Sequence, residues 1–165
     1  MNEKIKIRGT GFAVLTNIKT GEKRIIPLKN IVTNDGDRYY ATKGAGESAY
    51  FTVGGMRLGT GVDAPVKADT DVETFLAGSG KVIYATYPKT NDTDPDNTGA
   101  AVDSVSWCVS YAAGEATGDN ISELAIVDNI VTPTKALNHA LFAAPFNKTA
   151  ADTLKVFVNH NLLGT

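Results

Sequence analysis

The segment from Ser104 to Tyr111 (SVSWCVSY) constrains the fold more than any other part of the chain. Val105, Trp107, Val109 and Tyr111 fall on one side of a period-two alternation. Ser104, Ser106, Cys108 and Ser110 fall on the other. Strand side chains point alternately to opposite faces, so this pattern predicts a β-strand with one face in the core and the other in a polar setting. Leu154, Val156 and Val158 alternate with Lys155, Phe157 and Asn159 in the same way and predict a final strand.

Shorter signals of the same kind run through the chain. Ile5 and Ile7 alternate with Lys4, Lys6 and Arg8, and Phe12 and Val14 continue the run. The turn Lys19-Thr20-Gly21-Glu22 leads into a second strand over Lys23–Leu28, in which Pro27 marks an edge or a strand end. Phe51-Thr52-Val53 starts a strand that continues to Gly59, Lys81–Tyr87 is apolar and β-prone, and Ile121–Val127 is a further apolar run. Ala136–Phe142 has a composition that suits helix, but Pro133 and Pro145 bound it closely. Residues 33–43 read as one short helix. Thr33 or Asn34 caps it, Asp35 and Asp37 sit in its first turn, Gly44 stops it, and Gly36 weakens it. The segments 59–71 and 90–99 are Gly-, Pro- and Asp-rich loops.

About eight short strands with such connections predict an all-β fold, an antiparallel β-sandwich or jelly roll with one short helix. Residues 1–29 read as an N-terminal hairpin arm and residues 30–165 as the sandwich domain. No fixed-period repeat points to a solenoid or propeller.

Composition narrows the function classes. Apolar residues are 42% of the 165, enough for a core. No apolar stretch is long enough to span a membrane, and residues 1–8 lack the apolar centre of an export signal. A single cysteine, Cys108, excludes an intrachain disulfide framework. The charge is uneven. Residues 1–43 hold nine Lys/Arg against four acids, and the rest holds seven against fourteen. A basic front and an acidic body can match one copy to the next. The basic residues are not interleaved with aromatics and the net charge is −2, so nucleic acid is not an expected partner.

Candidate chemistry is sparse. His139 lies in an Ala/Leu-rich segment and His160 between two asparagines, and neither has a nucleophile motif around it. Cys108 shares its strand face with serines and reads as a small buried thiol. Trp107 reads as a core anchor. The tract Asn91–Gly99 places Asp92, Asp94 and Asp96 at i, i+2 and i+4, with Asp103 at the twelfth position, as in a calcium loop. Pro95 interrupts it, Asn97 stands where the sharp turn wants Gly, and no helices flank it, so an exposed acidic turn is expected. No catalytic, cofactor-binding or metal-binding residue is therefore assigned, and no enzyme is expected.

Four segments, in order, resemble a family of tailed-phage virion proteins. They are Asn30–Gly36 with the helix after it; Gly54–Gly61 with Ala64-Pro65 and Asp69-Thr70; Gly114-Glu115 leading to Ile121–Ile126; and Pro145–Thr149 followed by Asp152–Val156. The resemblance covers most of residues 30–160. It implies a non-enzymatic structural protein, expected as a capsid decoration (cement) protein. Such a protein binds the outer shell of the virion, contacts the major capsid protein and bridges capsid subunits as a homo-oligomer, a trimer. A tail, baseplate or fibre-attachment protein is the alternative. A carbohydrate-binding module built on Trp107, Tyr39, Tyr40 and the acidic loop is a third.

Overall fold

The computed structural model describes residues 7–162; the alternation over residues 4–6 lies outside them. The chain folds as β1 (Arg8–Asn17), β2 (Lys23–Val32), α1 (Asn34–Gly44), β3 (Gly55–Gly59), β4 (Lys89–Thr90), β5 (Ser104–Tyr111), β6 (Gly118–Val127), β7 (Ala136–Lys148) and β8 (Asp152–Asn161). Every strand pairing is antiparallel. Among the described residues the fold is all-β with one short helix.

The eight strands form one sheet, in the order β3-β6-β7-β2-β1-β8-β5-β4, where two separate layers were expected. The β1–β2 hairpin is the reason. β1 pairs with β8 along its whole length, while Leu28–Val32 of β2 pair with Asn138–Phe142 of β7. The β1–β2 hairpin, expected as an arm over residues 1–29, is thus held on both sides by the rest of the sheet over its described residues. Pro27 sits mid-strand, opposite Phe12, immediately before β2 begins to pair with β7. Proline has no N–H to donate, so the β2–β7 ladder ends at Leu28, while the β1–β2 pairing runs on past Pro27 to Lys23. Gly21 (φ 72°) supplies the left-handed residue of the β1–β2 turn.

The sheet curls around one core. Ala13, Leu28, Trp107, Val109, Tyr111, Ile126, Leu137, Leu154, Val156 and Val158, from six strands, belong to a single buried cluster. Residues 74–90 bridge the two ends of the sheet. Lys81 exchanges backbone hydrogen bonds with Met56 of β3, at 2.8 and 2.9 Å, and the Tyr84 N–H donates to the Cys108 carbonyl of β5 at 2.8 Å. Lys81–Tyr87 is therefore not the strand its composition suggested; it crosses from one edge to the other. Ala136–Phe142, helical by composition, is the start of β7, because β6 and β2 pair with it on both sides.

The helix follows the sequence signals. The Thr33 hydroxyl accepts from the Gly36 N–H at 3.0 Å and donates to the Ala136 carbonyl, which ties the cap to β7. Gly36 has a packing role: a Cβ there would lie 2.0 Å from the Leu137 carbonyl oxygen.

The outer face of β5 differs from expectation. Ser104, Ser106 and Cys108 are fully buried, because the 84–101 loop folds over them.

Candidate functional site

Three polar clusters stand out, one inside the curled sheet and two on its outer face. Inside, the Trp107 Nε1–H donates to the Tyr40 hydroxyl oxygen at 3.1 Å, and that hydroxyl lies 2.7 Å from His160 Nδ1. Burial pushes the His160 pKa down to about 3 and raises that of Tyr40, so the pair is neutral. Tyr39 stacks edge-on against Trp107. Trp107 is 2% exposed. Trp107, Tyr39, Tyr40 and the acidic loop, the residues of the alternative carbohydrate-binding module, are not brought together, because Trp107 faces the core while the loop lies on the opposite face of the sheet.

The second cluster contains that acidic loop. Asp92 is buried beneath it, not exposed at the tip. Its carboxylate accepts from the Tyr87 hydroxyl (2.7 Å), Asn97 Nδ2 (2.7 Å) and the Asp94 N–H (3.0 Å), and pairs with Lys89 (2.9 Å). Burial opposes its ionisation, but these donors outweigh burial and hold its pKa below the usual carboxylate range. Asn97 and Asn159 exchange amide hydrogen bonds of 3.1 and 3.0 Å, and Ser106 donates to Asn159 at 2.6 Å. Asp94 pairs with Lys155 (3.0 Å) and Asp96 with Lys23 (2.9 Å). Asp92, Asp94 and Asp96, the three carboxylates at i, i+2 and i+4, thus each face a lysine. Cys108 lies under the same loop among Phe12, Val14 and Phe157, and burial raises its thiol pKa to about 12, which leaves it unreactive.

The third cluster was not legible in the sequence. Glu123, in the middle of the apolar run of β6, is fully buried. Its Oε1 accepts from the Gly61 N–H (2.7 Å) and the Thr74 N–H (2.9 Å). Its Oε2 accepts from the Glu73 N–H (2.9 Å) and faces His139 Nε2 (2.7 Å). His139 Nδ1 faces Asp69 Oδ2 at 2.6 Å. Beside them, Arg57 pairs with Asp71 at 3.2 Å and its guanidinium lies over the Phe75 ring. The one signal in the sequence was a charged residue inside Ile121–Val127. A buried carboxylate needs several donors, and the loop backbone supplies them.

A cavity of about 960 Å³ opens at the end of the sheet beside α1, lined by Gly9, Asn30, Val32, Tyr40, Ala41 and Leu162 among others. Gly9 makes room there for Asn30, whose Oδ1 would lie 1.4 Å from an added Cβ.

Among the described residues, no group of three or more His, Cys, Asp or Glu side chains is placed to hold a metal ion, and no helix is long and apolar enough to cross a membrane. Comparisons with protein-family models, curated proteins and solved structures return no match.

Proposed function

We propose that the protein is a non-enzymatic structural protein of a tailed-phage virion. In this reading it is a decoration (cement) protein on the outer capsid, contacts the major capsid protein and bridges capsid subunits as a homo-oligomer, a trimer. The sequence resemblance is the starting point. The observation that carries the reading further is what the buried polar groups do. Glu123 with His139, and Asp92 with Asn97 and Asn159, each tie a surface loop to the sheet. Loops fixed before contact lose less conformational freedom on binding, and immobilising a flexible side chain at an interface costs ~0.5–1.5 kcal/mol. A rigid surface of this kind suits docking onto a large, repetitive partner.

The β1–β2 hairpin cannot be lent to a neighbouring subunit, because it lies between β8 and β7. Attachment is assigned instead to the pinned loops 60–74 and 84–101. The test is heat-induced genome release from particles with and without the protein. A ligand that binds only the assembled shell stabilises it by mass action, about 2.7 kcal/mol per site at a hundredfold excess over Kd. Release at lower temperature without the protein supports the reading, and equal release temperatures reject it.

A further inference from the structure

We propose that Glu123, His139 and Asp69 form a pH-operated latch that holds the Gly59–Thr74 loop against the sheet and lets it go when the His139 imidazolium loses its proton. Three backbone N–H groups of the loop converge on the Glu123 carboxylate, and His139 Nε2 faces it at 2.7 Å. A carboxylate so surrounded has no room for a proton of its own and is ionised. His139 Nε2 must therefore donate to it. Nδ1 faces a second carboxylate, Asp69, at 2.6 Å. A neutral imidazole carries one ring N–H and can serve only one of these two acceptors. Serving both takes the imidazolium.

Losing that proton has a directed effect. The remaining proton stays on Nε2, against the fully buried Glu123, and the bare Nδ1 lone pair then faces Asp69. Asp69 is the member that can leave: its side chain is 24% exposed, against 4% for His139 and 0% for Glu123. It is also the residue that closes its turn, accepting from the Val66 N–H at 2.8 Å.

The surrounding charge acts in the same direction. From the loop, Asp63, Asp71 and Glu73 line the same hollow as Asp69 and His139. β6 contributes Glu123, and β3 contributes Arg57, which pairs with Asp71. Opposite His139, β2 contributes the uncharged Ile31. Lys67 of the loop is engaged by Asp37 of α1 at 2.6 Å. Without the imidazolium, five carboxylates face a single guanidinium.

The direction of the pH dependence follows. Burial lowers the His139 pKa, but Glu123 and Asp69 outweigh burial and set it above the ordinary 6.5. A group whose closed-state pKa is raised holds the latch fully below the open-state value and loses its hold as pH rises through the closed-state value. The opening equilibrium should therefore climb by up to about tenfold per pH unit between those two values and level off above them. Val72 stays packed on Ala125, Val127 and Ala136, so opening is confined to the polar part of the loop.

Nuclear magnetic resonance on the full chain tests this directly, because the sequence has only two histidines and His160 does not titrate near neutrality. The His139 ring should titrate above 6.5, and the amides of Gly61, Val66 and Asp69 should shift with the same midpoint. Asp69→Asn is the second sample. An Asn amide can donate to a bare Nδ1, so a neutral imidazole then satisfies both neighbours. That variant should lower the His139 midpoint and leave the loop amides insensitive to pH. A midpoint at or below 6.5, loop amides that do not follow the ring, or an Asp69→Asn midpoint equal to that of the unmodified chain would each overturn the latch.

Discussion

Replacing Trp107 with Ala probes the junction on which the fold depends. The ring is 2% exposed, packs against Tyr39 and lies in the cluster shared by six strands. Truncating a buried Trp to Ala costs ~3–5 kcal/mol through lost burial and the cavity left behind. The substitution also removes the Nε1–H that donates to Tyr40. Tyr40 keeps its bond to His160, so no hydroxyl is orphaned and the hydrogen-bond share stays near 1 kcal/mol. At roughly 2–4 °C per kcal/mol for a chain of this size, the unfolding midpoint should fall by about 10 °C or more. Trp107→Phe separates the two contributions. It retains most of the apolar volume and loses the donor, so it should cost about a third as much. The assay is far-UV circular dichroism with calorimetry, since the substitution removes the only Trp and its fluorescence. An unchanged midpoint for Trp107→Ala would refute the assignment of Trp107 to the core, and equal losses in both variants would refute the division between cavity and hydrogen bond.

The remaining predictions concern the hairpin, the acidic loop and assembly. Deleting residues 1–29 removes β1 and most of β2 from the middle of the sheet, so the remainder should show no cooperative melt; a native-like transition would contradict the pairing. Asp92 has its pKa held below 3.8, so its contribution to stability is present above 3.8 and lost as pH falls through the lower folded-state value. Asp92→Asn should flatten the acid limb of a stability–pH curve, and a wild-type-like acid limb would count against the network. Because Lys23, Lys89 and Lys155 occupy the aspartates of the 92–96 loop, calorimetry should detect no micromolar calcium binding, and binding abolished by Asp94→Ala would reverse that reading. Light scattering should show a homo-oligomer, and a monomer at high concentration would argue against self-assembly.

The strands with a clean apolar–polar alternation, β5 and β8, were legible because burial on the core face selects every second residue. The helix was legible because Thr33 and the two aspartates mark its start. β7 was not, since Ala136–Phe142 is strand only through partners on both sides, and those partners are distant in sequence. The continuity of the sheet was hidden for the same reason: it depends on β1 and β8 meeting across about 140 residues. At the outer face, the spacing of the aspartates was visible but the lysines facing them were not. Glu123 could be noticed as a charge within an apolar run, but its partners are backbone N–H groups, which have no signature in side-chain sequence.

The proposed role is tested most directly by imaging intact virions that carry this chain and locating its density. The cement reading predicts copies at equivalent positions on the outer face of the head, with loops 60–74 and 84–101 against the capsid subunits. Density confined to the tail or baseplate, with none on the head, would contradict it.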